Sequence, residues 1–127
     1  MVKCPYCNTH AKLVGGDVIY PHRSDLSALK FYQCAPCDAY VGTHKGGAGH
    51  PPLGRLANAN LRRLKVRCHS LFDPLWKQAL MSRSEAYRRL AKALNIPKEE
   101  CHIGMFDEGR CMMAITAICD GALEGPQ

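Results

Sequence analysis

Four cysteines near the N-terminus, arranged as two Cys-x-x-Cys pairs, constrain the fold of this chain more than any other feature. The first pair lies in CPYC and the second in CAPC. Two thiolates at this spacing can bind one ion from a single tight turn, and two such turns supply the four sulfur ligands of a structural Zn²⁺ site. A redox-active pair or a disulfide framework is the alternative interpretation. The pattern predicts one structural zinc ion bound by Cys4, Cys7, Cys34 and Cys37.

The segment between the two pairs is longer than in most sites of this kind. It contains 26 residues, 8–33, whereas roughly 15–20 are typical. The apolar runs 12–14 and 18–20 flank Gly15-Gly16-Asp17, which predicts a β-hairpin. A loop follows, and further strands are expected over residues 30–33 and 39–41. A zinc ribbon of three or four short antiparallel strands is therefore predicted.

A change in composition follows the ribbon. Residues 46–54 are rich in glycine and proline, which disfavour both helix and sheet. This pattern predicts three parts, namely a zinc ribbon over 1–45, a Gly/Pro linker over 46–54 and a basic helical module over 55–127. His44 lies just before the linker and His50 within it; either could replace a zinc ligand, although four available cysteines favour a surface role for both.

The third part has the apolar periodicity of helices. The first helix is expected to begin near Asn58 or Asn60 and to end before Pro74, which can open a further helical turn. The second begins at the capping box formed by Ser82 and Glu85, and the third is capped by Asp107. The inward stripe of the third helix is predicted to comprise Cys111, Met112, Ile115, Ile118, Cys119 and Ala122.

The predicted fold class is therefore α+β. An N-terminal zinc ribbon of short antiparallel β hairpins is packed on, or tethered to, a C-terminal three-helix cluster. The tail from Gly121 is expected to be disordered or nearly so.

Charge is distributed unevenly along the chain. Residues 55–92 contain ten basic and two acidic residues, a net charge of 10 − 2 = +8. The whole chain carries +6, so the remainder holds 6 − 8 = −2. Seven of the ten basic residues are arginines, whose planar guanidinium binds phosphate in bidentate fashion.

Sequence features of an enzyme are weak. His69 and Asp73, four residues apart, could join His102 in a metal-dependent nuclease, but the acids are too few. Asp73 before Pro74 is interpreted as an N-cap. The segment Gly46-Gly47-Ala48-Gly49 lacks the Lys-Ser/Thr that completes a phosphate-binding loop. The chain is expected not to be an enzyme.

The N-terminus and the remaining cysteines indicate a compartment. Cys4 follows the first three residues directly, leaving no room for a signal sequence, and no apolar run has the length of a membrane span. A cytoplasmic protein is expected. Cysteines are usually reduced in that compartment, so the other four are predicted to be small buried apolar residues, namely Cys68, Cys101, Cys111 and Cys119.

Several motifs together resemble a known family. They are CPYC, VIYPHRSDL, FYQCAPCDAYVGTHKG, PLGRLANANLRRLKVRCHSLFDPLW, SRSEAYRRLAKALNI and CHIGMF. The series resembles the zinc-finger-containing domain family found mainly in bacteriophages and prophage regions, over residues 4 to about 119. The resemblance implies a zinc-binding protein of bacterial or phage origin and no particular activity. Its metal cysteines match Cys4, Cys7, Cys34 and Cys37.

Two functions fit this pattern. The first is a non-catalytic accessory protein that binds nucleic acid through a basic helical face. The expected phosphate contacts are Arg62, Arg63, Lys65, Arg67, Arg83, Arg88 and Arg89. The alternative is a protein-binding module or inhibitor that docks on an acidic surface of a host complex, with Trp76, Tyr87 or Phe106 as an anchor if exposed.

Overall fold

A computed structural model describes residues 2–45, 48–78 and 80–125. The described chain divides into two compact units, which meet in sequence after Asn60. The first unit contains strands β1 (Lys12–Gly15), β2 (Lys30–Cys34) and β3 (Ala39–Gly42) and the short helix α1 (Gly16–Ile19). The helices that follow are α2 (Ala59–Phe72), α3 (Pro74–Lys77), α4 (Arg83–Leu94) and α5 (Glu108–Cys119).

The three strands form one antiparallel sheet in the order β1-β2-β3. Leu13 pairs with Tyr32, which in turn pairs with Val41. The predicted hairpin between runs 12–14 and 18–20 is wrong, because Val18 and Ile19 belong to helix α1 and β1 pairs with β2 instead. The backbone N–H of Gly16 donates to the carbonyl of Leu29 at 2.7 Å, so the chain leaves β1 at this point and closes the insertion as a loop.

An aromatic cluster packs this insertion against the sheet. The rings of Tyr20, Phe31 and Tyr40 meet edge to face, with centroids 5.8 to 6.2 Å apart. The hydroxyls of Tyr20 and Tyr40 lie 3.3 Å apart. Such edge-to-face contacts contribute about 0.5–1.5 kcal/mol each beyond area burial, so the cluster holds the long segment between the cysteine pairs in place.

The segment after β3 belongs to the first unit. His44 N–H donates to the Pro51 carbonyl at 3.0 Å and Leu53 N–H to the Gly42 carbonyl at 2.9 Å. Tyr40 and Ala57 exchange two backbone hydrogen bonds of 3.2 and 3.0 Å. The division after Asn60 thus differs from the boundaries that the sequence suggests at residues 45 and 54.

Local signals define the helices of the second unit. Helix α2 covers the expected range and ends before Pro74, which opens α3. The hydroxyl of Ser82 accepts from Glu85 N–H at 3.0 Å, and the carboxylate of Asp107 accepts from Arg110 N–H at 2.9 Å. These contacts confirm two predicted N-caps.

Three expectations about side chains in the second unit are wrong. The Glu85 carboxylate does not complete a capping box but binds Arg88 and Arg89. Helix α5 buries Cys111 and Ala114, whereas five of the six members of its expected stripe are not buried: Ile115 and Ile118 are half-buried, and Met112, Cys119 and Ala122 are exposed.

The third expectation concerned the tail from Gly121. Leu123 is 1% exposed, and the guanidinium of Arg89 donates to the carbonyls of Leu123 and Gly125 at 2.9 and 2.8 Å. The tail is therefore packed as far as residue 125. Residues 126 and 127 lie outside the described range.

The α+β class is confirmed, with a three-stranded antiparallel sheet beside the cysteines and four helices in the C-terminal part. Among the described helices, none combines the length and the apolar character that crossing a membrane requires.

Candidate metal centre

The first cysteine pair lies in a tight turn. Cys4 N–H donates to the Thr9 carbonyl and Asn8 N–H donates to the Cys4 carbonyl, both at 2.8 Å. Asn8 has a φ of 63°, a left-handed conformation that asparagine tolerates better than most residues. The bridge between Lys3 and His10 closes the turn, so the Cys4 and Cys7 side chains are held by local backbone bonds.

The second pair repeats this design. A 3₁₀ turn over Ala35–Cys37 follows β2 directly, with Pro36 in its first turn. Asp38 then adopts a φ of 50°, so each pair is followed by an Asn or Asp in the left-handed region. Because Cys34 ends β2 and Cys37 precedes β3, the sheet fixes the direction of the second pair.

The four sulfur atoms converge. All lie within 4.8 Å of one another, and the sulfurs of Cys7 and Cys34 are 3.6 Å apart. Ligands bound tetrahedrally at about 2.3 Å would be separated by about 3.8 Å, so the cluster fits one zinc ion. Among the described residues no histidine joins the group, which leaves His44 and His50 outside it.

Burial and hydrogen bonding differ across the cluster. Cys4 and Cys34 belong to a small core with Ala39 and Leu56, whereas Cys7 is exposed. The Thr9 hydroxyl, 3.0 Å from the Cys7 sulfur, is the largest cause that lowers the pKa of Cys7 to about 6. Thr9 is a neighbour of the site that the cysteine spacing did not reveal.

The thiols also affect one another. The hydrogen bond to Cys7, followed by lost hydration, raises the pKa of Cys37 to about 12. Adjacent thiolates repel when no cation neutralises them. A divalent cation removes that repulsion and displaces the protons, so the chemistry of this donor set fits a metal ion.

Comparison with known families agrees with this geometry. A model of a zinc-finger-containing domain matches residues 1–120 of the chain. The chain belongs to this zinc-finger-containing domain family. Neither the search of curated proteins nor the search of solved structures finds a significant match. Family membership and the sulfur cluster together confirm the predicted zinc site, with one structural zinc ion on the four cysteines.

The other cysteines of this zinc-finger-containing protein have different surroundings. Cys68, Cys101 and Cys111 are buried as predicted, but Cys119 is exposed. Burial raises the pKa of Cys68 to about 12 and that of Cys101 to about 11. These two thiols therefore stay protonated at neutral pH and act as packing groups.

The seven expected phosphate contacts fall into two groups. On α2, Arg63 and Arg67 are exposed and Arg62 is half-buried. The ammonium of Lys65 donates to the carbonyl of Gly104 at 2.6 Å, a contact that connects α2 to the turn before α5. Lys65 therefore has a structural role in addition to its charge.

The three arginines of α4 differ in their exposure and in their partners. The Arg83 guanidinium lies over the ring of Tyr87, 4.9 Å from the centroid. Arg88 is exposed but ion-paired with Glu85. The side chain of Arg89 is only 16% exposed and binds Glu85 at 2.7 Å. Arg83 thus presents its charge at the surface, whereas Arg89 is part of the packing.

The three candidate nuclease residues, His69, Asp73 and His102, do not all contact one another. Nδ1 of His69 lies 3.2 Å from the Asp73 carboxylate, which is also 4.0 Å from the ammonium of Lys77. Asp73 occupies the N-cap position of α3 as expected, but its side chain makes no cap bond. The ring of His102 instead lies 6.1 Å from that of Tyr87.

Proposed function

We propose that this protein is a non-catalytic accessory protein that binds nucleic acid through exposed arginines, chiefly those of α2. The supporting observation is that Arg63 and Arg67, one turn apart on α2, are exposed and that their guanidinium groups have no hydrogen bond or ion pair within the described residues. Unpaired like charges on one helix face repel each other. An anionic partner offsets that repulsion, and phosphate suits the arginine fork.

Zinc has a structural part in this proposal. Four thiolates complete a tetrahedron, which leaves no coordination position for a reactive water. The ion then stabilises the ribbon, and the charged helices make the contact. A bacteriophage or prophage accessory role in the cytoplasm of a bacterial host belongs to the same proposal.

The test inverts charge on α2 alone. Arg63→Glu/Arg67→Glu should abolish most binding to duplex DNA, because both charges are inverted. Both side chains are exposed and lie outside the core. Wild-type affinity should fall steeply with salt, with a log–log slope of about 0.9 for each phosphate contact, and the variant should have a shallower slope. Fluorescence anisotropy with a labelled duplex measures both effects.

A charge-matched control lies in the first unit. Lys12→Glu/Lys30→Glu makes the same change in net charge at two exposed strand positions. It should weaken binding far less, and both variants should retain zinc. Equal loss in both variants would refute a site on α2 and indicate only a net-charge effect.

One observation favours the alternative, a protein-binding module. An apolar groove lies between α4 and α5, with Met112 and Met113 59% and 51% exposed along it. Exposed apolar grooves of this kind commonly bind partner helices. Of the suggested anchors, Phe106 is fully buried and cannot serve, whereas Trp76 and Tyr87 are half-buried.

Nuclease treatment distinguishes the two functions. Partners captured from a bacterial lysate should disappear after nuclease digestion if nucleic acid is bound. A partner that survives digestion, but is lost in Met112→Glu, would favour the protein-binding module instead.

A further inference from the structure

A second surface of this protein has the composition of a small-ligand site. In the second unit, a cavity of about 330 Å³ lies between the first turn of α4 and the segment before α5. Its lining includes Arg83, Ser84, Tyr87, Lys98, Glu99 and His102. This volume falls at the lower end of the range for small-molecule pockets, roughly 300–1,000 Å³.

The wall of this cavity is rigidly built. The ring of Tyr87 packs on Phe72 at a centroid distance of 4.6 Å. The thiol of Cys101, itself in the lining, is 3.6 Å from the Tyr87 carbonyl. The guanidinium of Arg83 lies over two rings, 4.9 Å from the centroid of Tyr87 and 5.7 Å from that of Trp76. The guanidinium is therefore oriented before any ligand binds, which lowers the entropic cost of binding.

Several polar side chains around the cavity have no ion-pair or hydrogen-bond partner in the part of the chain that the structure describes, in contrast to the charged residues next to them. Within the described residues, no hydrogen bond or ion pair involves the side-chain ends of Arg83, Lys98, Glu99 or His102. Just outside, Glu100 binds Arg110 at 2.8 Å and Glu85 binds two arginines. Charged side chains nearby in this unit therefore form ion pairs, whereas those at the cavity do not pair with any described residue.

We propose that this cavity binds one unstacked nucleotide of a single-stranded nucleic acid. The inference rests on the proposed nucleic-acid binding and specifies its second contact. Arg83 and Lys98 bind the phosphate, and the base stacks on the exposed imidazole of His102. The Glu99 carboxylate accepts a hydrogen bond from an exocyclic amino group of the base.

The combination of groups supports a nucleotide over a simple anion. A phosphate site alone has no use for Glu99, since that carboxylate repels the ligand. A carboxylate does pair with the amino group of cytosine, and aromatic side chains bind unstacked bases. A duplex keeps its bases stacked and paired, so its bases cannot enter the cavity.

The test compares single strands with a duplex. Labelled oligodeoxycytidine, labelled oligodeoxythymidine and a labelled duplex are titrated by fluorescence anisotropy. His102→Ala should weaken both single strands roughly tenfold, the order expected for loss of one stacked base, and leave the duplex unchanged. Glu99→Gln should remove the preference of the wild type for oligodeoxycytidine over oligodeoxythymidine.

Matched controls use exposed residues outside the cavity. His22→Ala and Glu124→Gln make the same chemical changes elsewhere on the surface and should leave all three affinities unchanged. The Trp76 fluorescence midpoint reports whether each variant keeps the second unit folded. Should His102→Ala fail to fold, Arg83→Gln provides the same comparison, with loss expected on single strands.

The outcomes separate this inference from the proposed function. If His102→Ala and Glu99→Gln bind every probe as the wild type does, while Arg63→Glu/Arg67→Glu loses binding, the cavity proposal is refuted and the α2 site stands. If the wild type binds none of the three probes, both are refuted. If cytidine monophosphate binds the cavity and the single strands do not, the proposal that the cavity binds a nucleic-acid strand is refuted.

Discussion

At Gly16, two backbone segments of the first unit approach too closely for any side chain. A Cβ at this position would lie 1.8 Å from the carbonyl oxygen of Leu26. Gly16→Ala must therefore displace the loop over 24–26, and overpacking of this kind costs about 1–3 kcal/mol. We expect faster zinc release from the variant to a chromogenic chelator, because the insertion joins the two cysteine pairs.

Gly109 provides the control. It lies in the first turn of α5, where a Cβ would meet only the Asp107 carboxylate, at 3.6 Å. Gly109→Ala should leave zinc release unchanged and stabilise the second unit slightly, since alanine is the better helix former. Equal zinc-release rates in Gly16→Ala and the wild type would contradict the predicted clash.

Glu85 makes the stability of the second unit depend on pH. Its bonds to Arg88 and Arg89 lower the pKa of Glu85 from 4.5 to about 2. A carboxyl group with a lowered pKa stabilises the folded state above its unfolded pKa, and this contribution disappears as pH falls through the folded value. Glu85→Gln should therefore melt a few degrees below the wild type at neutral pH, with the difference vanishing between about pH 4.5 and 2.

Trp76 fluorescence measures this effect, because the chain has one tryptophan and it lies in the second unit. Glu124→Gln removes a carboxylate that has no arginine pair within the described residues and serves as the control. A constant difference in melting temperature down to pH 2 would show that Glu85 acts through something other than its charge.

Two N-caps, whose partners are local backbone atoms, could be predicted from the sequence. Ser82 and Asp107 cap helices as expected, since an N-cap bond spans only three residues. The same sequence did not reveal the role of Arg89, because its carbonyl partners lie more than thirty positions away. Partners of that kind depend on how the chain returns to α4.

Among structural elements, the two cysteine turns are the most sensitive to a single exchange. Cys4→Ser replaces a fully buried sulfur ligand with a hydroxyl that binds zinc poorly, and structural zinc sites contribute directly to folding. We expect zinc content to fall from about one ion per chain to a small fraction. Cobalt substitution gives a second readout, the absorption of tetrahedral thiolate coordination.

Cys119→Ser is the matched exchange outside the metal site. Cys119 is exposed in the last turn of α5, so this variant should keep its zinc and its cobalt spectrum. Full zinc occupancy in Cys4→Ser would show that the four-cysteine site is misassigned.

Element prediction succeeded where one period dominated the pattern. The 3.6-residue repeat of α2 and α4 gave both helices close to their observed bounds. It failed over residues 18–20, where a β-branched run favoured a strand but Gly16 bonds to the Leu29 carbonyl and turns the chain into α1. Tertiary contacts outweighed propensity there.

For the whole protein, the sequence predicted how many basic residues there are better than which of them remain exposed and unpaired. The excess of basic residues between positions 55 and 92 is evident from composition. Which of them remain at the surface depends on packing, which assigns Lys65 to the Gly104 carbonyl and leaves Arg63 and Arg67 exposed. The unpaired groups of the cavity come from α4, which supplies Arg83, and from the segment before α5, which supplies Lys98, Glu99 and His102, and they had no common motif.

The hydrogen bonds between β3 and the segment that follows it determine where the chain can be cut. A fragment that ends at residue 45 loses the partners of Tyr40 and Gly42 and removes Leu56 from the core. It exposes an unpaired strand edge, which favours aggregation. We expect a recombinant fragment of residues 1–60 to remain monomeric in size-exclusion chromatography with zinc bound, and the shorter one to elute in the void volume. The difference in solubility between the two fragments would come from fifteen residues, 46–60, that contain no zinc ligand.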